Sequence, residues 1–401
     1  MSSITSAFID LAAQSDIDNY YYSPSSPMEA QIPIFLSCTD TCSGEHNYDI
    51  ERSGDLLSYV WAEISISEFA LDSSNRFGQN GRLFWTKNLG HNLFQDISIV
   101  YREQVVQSLT DIILDVHSHF FIPAKKKDAY DWNIGNREEL TDPQQNFQET
   151  TLTVPLPFFF CRDRDSALPV CAINGEGMIR CISRIWDELL ILTNIQTGEK
   201  VIPLSDELSA IPKIDVKIGA NYIVCSNTER ARMAADPYQC KIETYQQSSP
   251  YVCGVDRCIN TDLLFSNSVR TFVYFVKNNE NVNERSIYLN NNGKEQIEQF
   301  GLVYDSTVRL SRCKSNYTSF ITSYYHMDRC PEKNGMHMYT YSTKDIIDKN
   351  ASGSTCQYRI PKVTAVVDLD PSTPVGSTFY VVAHTRNIIS INYGHIGMLY
   401  N

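Results

Sequence analysis

The chain has 401 residues, enough for one large or two medium domains, each with its own core. Hydrophobic residues make up 42% and charged residues 20%, the balance of an ordinary soluble globular chain. With 34 Lys and Arg against 47 Asp and Glu, the net charge of -13 argues against a broad nucleic-acid-binding face, because neutralising phosphates needs basic residues in excess.

From the start, Met1–Asp10 lacks the basic and continuous apolar regions of a secretory signal. No stretch reaches the ~18–20 apolar residues of a membrane span, so a cytosolic site of synthesis is expected. Residues Ile9–Tyr20 carry apolar positions suited to a short amphipathic helix, which Pro24 and Pro27 would end. Residues 1–27 therefore read as an N-terminal arm, with Tyr20, Tyr21 and Tyr22 as aromatic anchors. A dozen residues with so little apolar surface would not hold a helix alone.

Strand signals then dominate. In Leu56–Ser67, Leu56, Val60, Ile64 and Ile66 share one period-2 face, with Tyr59, Trp61 and Glu63 on the other. Ile97, Ile99 and Tyr101 alternate with Ser98 and Val100. Leu109, Ile113, Val116 and Phe120 keep helical spacing, predicting a helix near Thr110–Phe121 capped by Thr110 or Asp111. The basic run Lys125–Lys127 reads as a solvated loop. Pro155 and Pro157 remove two backbone donors and keep Leu152–Pro157 out of the middle of a sheet. Phe158, Phe159 and Phe160 follow, then the charged turn Arg162–Asp165 and a second apolar run, Ala167–Ile173; together they read as a buried strand pair.

The best break in the chain lies beyond Trp186. Gln196–Lys200 interrupts the pattern, and Pro203 and Pro212 bracket the polar Ser205–Ser209. The predicted division is a first sandwich over 28–190, a linker over 191–204 and a second sandwich over 205–401. Phe272, Tyr274 and Val276 alternate with Val273 and Phe275; Val363, Ala365, Val367 and Leu369 share a face; Phe379–Ile391 is rich in β-branched and aromatic residues. Each half holds roughly eight strand-like runs, a number that suits a jelly roll. No repeat is visible between the halves. The fold class is all-β with short helical decorations.

A search for chemistry returns little. His117 and His119 would face one way on a strand and could share a metal, as in metal-binding cupins. The helical spacing instead places them roughly 200° apart, and Phe120–Ala124 offers no acidic ligand. Cys38 and Cys42, near His46, and Cys253 and Cys258 lack the Cys-x2-Cys spacing of a structural zinc site. No nucleophile elbow, phosphate-binding loop or dinucleotide fingerprint occurs. No catalytic residue, cofactor or metal is expected, and in a reducing compartment the twelve cysteines are expected as free thiols.

Several motifs in order carry a resemblance. Phe77-Gly-Gln-Asn-Gly-Arg82, Trp85-Thr-Lys-Asn-Leu-Gly-His91, Tyr130-Asp-Trp-Asn-Ile-Gly-Asn136, the Leu152–Arg164 segment, Ser226–Met233, Asn350–Cys356 and Asn387-Ile-Ile-Ser-Ile resemble the major capsid proteins of large icosahedral nucleocytoplasmic DNA viruses, the iridovirus and ascovirus branch most. The likeness runs from Ser6 almost to Asn401. It implies a double jelly roll, two antiparallel sandwiches side by side. It also implies a homotrimer with a near-hexagonal outline that tiles an icosahedral virion shell assembled in host cytoplasm. The implied partners are further copies of the chain, minor capsid proteins and an internal viral membrane on the inner side, where the arm would lie. Nucleic acid is not an implied partner. The other reading it leaves open is a paralogue serving as a minor capsomer or assembly scaffold; a cellular β-sandwich binding module is more distant.

Within the resemblance, Gly78 and Gly81 flank a turn needing positive φ, Gly135 lets the backbone turn back, and Arg230 and Arg232 are candidates for acidic partners. Asn174-Gly-Glu-Gly177 departs from the family and is expected to weaken or bulge the strand it enters. The second half looks short of the family's surface loops.

Overall fold

A computed structural model describes residues 30–399 apart from 43, 236–237, 280–282, 349–352 and 357–361. The arm Met1–Pro27, the helix expected at Ile9–Tyr20 and the first residues of the Asn350–Cys356 motif lie outside the described residues.

The chain folds into two antiparallel jelly rolls. In the first, strands Ala30–Phe35, Ile214–Val224, Leu56–Ile66 and Thr150–Leu156 form one sheet in that order. Cys38–Cys42, Glu45–Asp49, Gly177–Ser183, Phe94–Tyr101 and Gln104–Thr110 form the other. In the second, Tyr238–Gln247, Thr378–Asn392, Ser268–Lys277 and His337–Thr340 face Cys258–Asp262, Val363–Leu369, Ile297–Tyr304 and Thr307–Lys314. Leaving aside Cys38–Cys42 and the short accessory strands, eight strands make up each roll. Counted within its own roll, each set pairs first–eighth–third–sixth and second–seventh–fourth–fifth.

The patterning explains the sheets. Val60, Ala62, Ile64 and Ile66 are buried in the first core, while Tyr59 and Trp61 on the opposite face are not; a register shift past Tyr59 turns Leu57 into that core and sends Leu56 to a separate cluster with Ile223. Pro155 sits on the outermost strand of its sheet, which pairs only with Leu56–Ile66, so its missing donor costs no ladder bond. Val363, Ala365, Val367 and Leu369 point into the second core. Ser268–Lys277 is buried on both faces: Phe272, Tyr274 and Val276 fill the second roll's core, whereas Val273 and Phe275 join the cluster that continues into the first roll.

Five expectations are corrected. Strand Ile214–Val224 lies beyond the expected 191–204 linker, yet it is the eighth strand of the first roll, with Ile218, Ala220 and Tyr222 buried in that core. The 28–190 and 205–401 division therefore moves to follow Val224. The linker itself holds a core strand, Leu190–Asn194, paired with Gly81–Trp85, because Leu190, Ile191 and Leu192 are too apolar for a solvated connection. The Phe158–Ile173 segment is a series of short 3-10 turns, with all three phenylalanines buried. Lys125–Lys127 lies in a helix, Ala124–Asn133, on its solvent side. The glycines at 175 and 177 precede or begin a continuous strand whose register shift comes at its other end, between Ile182 and Ser183.

A short repeat does exist. In each roll a hairpin joins the fourth and fifth strands through a turn with positive-φ residues, Arg102 and Glu103 in one and Asp305 in the other. The flanks read Ile99-Val-Tyr101 and Leu302-Val-Tyr304, and a helical segment with a π turn follows each, over 111–121 and 317–326.

Candidate assembly interface

The junction of the two rolls is built around segment 111–121. The Thr110 hydroxyl accepts a 3.4 Å hydrogen bond from the Ile113 amide and caps it, as the sequence predicts. Its apolar residues Ile112, Ile113, Leu114, Val116, Phe120 and Phe121 are all buried. His117 and Phe121 lie on the second roll's outer sheet face: His117 Nδ1 pairs with the Tyr245 hydroxyl at 2.8 Å, and the Phe121 ring is 4.5 Å from His384 and 5.7 Å from Tyr245. Tyr245 and His384 are themselves direct cross-strand partners.

Charge crosses the same junction. Glu243 accepts from Arg162 of the first roll at 2.5 Å and from the fully buried Arg270 at 2.8 Å, with His384 at 3.4 Å. Arg270 also donates to the carbonyls of Asp345 and Asp348. Burial pushes its guanidinium down to about 10, against the pull of Glu243. Beside this cluster a cleft of about 630 Å³ opens between the rolls, lined among others by Trp61, Phe121, Pro157, Tyr245 and His384.

A second set of buried polar groups ties the helix to both rolls. The Asp115 carboxylate accepts from Asn88 at 2.7 Å and from the Tyr288 hydroxyl at 2.6 Å, and pairs with His91 Nδ1 at 3.0 Å. His91 Nε2 reaches the Tyr130 hydroxyl at 3.0 Å. Burial alone would raise the Asp115 pKa, but the bond and charge of His91, with Ser286 and Tyr288, hold it below the usual carboxylate range. The Trp85–His91 and Tyr130–Asn136 motifs meet here. Asn136 accepts from the Asn88 amide at 2.8 Å and donates to its side chain at 2.5 Å, and Gly135, at φ 99°, makes the turn that allows it. Gly78 likewise takes positive φ, 53°, in its turn.

The two histidines of the His-x-His pair diverge: His117 takes Tyr245, and His119 Nδ1 accepts from Asn334 at 3.1 Å. Burial pushes both imidazoles down to about 3, so both are neutral. Cys253 is buried and Cys258 exposed. Cys161 and Cys171 are free thiols, and burial raises them to about 12 and about 11, which makes them poor nucleophiles. Among the described residues no cluster of three or more His, Cys, Asp or Glu could hold a metal, and no helix is long and apolar enough to cross a membrane. Arg230 grips Asp55 with two bonds, at 2.8 and 3.0 Å, and Arg232 lies 3.8 Å from Glu229. Sequence reading missed Asp115, His91 and Glu243. The available signal was Asp111 and Asp115, four apart on the apolar face of a predicted helix.

Comparison with known proteins follows the same division. Residues 28–229 match the family described as major capsid protein N-terminus, and residues 229–397 match large eukaryotic DNA virus major capsid protein. The major capsid protein of Invertebrate iridescent virus 6 is 29% identical over 99% of this chain and 98% of its own length. That of Tipula iridescent virus is 30% identical over 98% and 97%. The first alignment spans 459 positions, more than the 401 residues here, so that relative carries segments this chain lacks. Among solved structures, the PBCV-1 virus capsid matches with TM-score 0.73 at 16% identity, over 96% of this chain and 100% of that one. The Faustovirus major capsid protein matches with TM-score 0.72 at 10% identity, over 97% of each. At such identities these structures speak for the fold.

Proposed function

The chain belongs to the major capsid protein family of large eukaryotic DNA viruses, and from that membership we propose that it trimerises into pseudo-hexagonal capsomers that tile an icosahedral shell. Membership alone makes it a structural protein of the virion shell and not an enzyme. The observation that carries the finer reading is the identical pairing order of the two rolls. Two like sandwiches per subunit become six in a threefold ring, and six nearly equal sides let a trimer fill a lattice position with six neighbours.

The remaining partners are part of the same proposal. Residues 1–27 would face the shell interior, toward minor capsid proteins or an internal membrane, with assembly in host cytoplasm. The surplus of acidic residues fits contacts to protein and not to the genome. Electron microscopy of the purified chain tests the reading. Particle averages with threefold symmetry and a near-hexagonal outline are expected; two-lobed single subunits or twofold dimers would overturn it.

A further inference from the structure

The likeness of the two rolls relates a covered surface to an uncovered one. In the first roll, the segment after the fifth strand lays His117 and Phe121 on the second roll's outer face. That face is thereby buried, with Val273, Phe275 and Val382 in one cluster with the first roll's core. In the second roll, segment 317–326 follows the fifth strand in the same way. Counted from Thr110 and Lys314, which end the two fifth strands, Ile321 stands where His117 does and Tyr325 where Phe121 does, with Phe320 and Tyr324 beside them. Phe320 and Tyr324, one helical turn apart, bring their rings to 5.9 Å. Yet Ile321 and Tyr325 are 38% and 72% exposed, and Phe320 and Tyr324 beside them 48% and 60%.

The first roll has the matching bare face. On its sheet, Phe35 and Trp61 are both register partners of Gly219 and point away from the core that holds Val60, Ala62, Ile218 and Ala220. Their rings are 6.2 Å apart, with Tyr59 6.0 Å from Trp61 on the same side. Phe35 is 52% exposed and Tyr59 43%. The corresponding sheet of the second roll is the one that segment 111–121 covers. Aromatic surface of this kind is enriched where proteins meet.

We propose that segment 317–326 of one subunit docks on the outer face of the first roll of a second copy, with its exposed patch of Phe320, Ile321, Tyr324 and Tyr325 against Phe35, Tyr59 and Trp61. The contact repeats between subunits what segment 111–121 makes within one. It is head-to-tail, using two different patches, so it forms a closed ring when the rotation closes. Six rolls joined alternately by the internal and the external version close at three subunits. The inference rests on the trimer reading above and assigns its residues.

The test starts from the native mass of the full chain. A double variant, Phe320→Ser with Tyr324→Ser, should weaken subunit association by about 30-fold or more, the effect of removing a hot spot, while circular dichroism of the subunit is unchanged. Phe35→Ser should weaken it from the opposite side. A trimeric parent whose variants associate as tightly sinks this interface and leaves the capsomer reading standing. A monomeric parent sinks both. Should the double variant fail to fold, a photo-crosslinking phenylalanine analogue in place of Tyr324 decides. Cross-links between copies to strands Ala30–Phe35 or Leu56–Ile66 are expected. Cross-links to the second roll of another copy, or to a different protein, or none between copies, would contradict the proposal.

Discussion

At Asp115 a single carboxylate holds three partners out of water, Asn88 and His91 from one segment of the first roll and Tyr288 from the second roll. Removing one member of such a set leaves the others buried and unpaired, which costs more than the set contributes as a whole. Asp115→Ala is expected to lower unfolding stability by about 3 kcal/mol, read from urea denaturation, with Asp115→Asn costing less; an unchanged midpoint would show the network to be dispensable. Its low pKa means this support is complete above the ordinary value of 3.8 and is lost as pH falls through the folded value. Buried histidines act earlier. Burial holds His337 to about 4 and His384 well below 6.5. Between pH 6.5 and 4 the unfolded chain takes up protons that these folded rings refuse, so stability falls as pH drops through that window. A ring like His337 contributes about 2 kcal/mol of that loss by pH 5. Urea midpoints at pH 7 and pH 5 should differ in that sense, and His337→Gln should narrow the difference; equal slopes for parent and variant would assign the pH dependence elsewhere.

Much of the element level was legible in the sequence, and the exceptions share a cause. Period-2 patterning located Leu56–Ile66 and Val363–Leu369 because each buries one face. The Thr110 cap and the helical spacing located segment 111–121. What patterning could not give was the partner of a strand. Ile214–Val224 sits after a proline-rich break, and only its pairing between Ala30–Phe35 and Leu56–Ile66 assigns it to the first roll. The repeat after Tyr101 and Tyr304 was hidden for a similar reason: the two copies share only a hairpin followed by a helical segment, and one copy is clothed for burial and the other for a surface. The junction's polar groups come from segments far apart in the chain, so no local spacing announces them. Strand assignment is open to test. Ile218→Asp places an unpaired charge in the first roll's core, and hydrogen exchange should accelerate across Leu56–Ile66 while Val363–Leu369 is less affected. Faster exchange confined to 238–392 would return the strand to the second half.

At the scale of the molecule, two rolls of one pairing order are joined through a buried helix, and each presents a further aromatic surface outward. The same geometry can thus serve inside a subunit and between subunits, which is what a threefold particle needs to occupy a sixfold position. For residues 1–27 we propose a separate role in shell closure. Deleting residues 1–22 should leave a soluble trimer that no longer forms closed shells with its partners; an insoluble or monomeric product would assign the arm to the subunit core. The central claim is the trimer itself, and the mass of the purified full-length chain in native mass spectrometry tests it most directly. Three chain masses, persisting on dilution, is the predicted result, and a single chain mass at the same concentrations would contradict it.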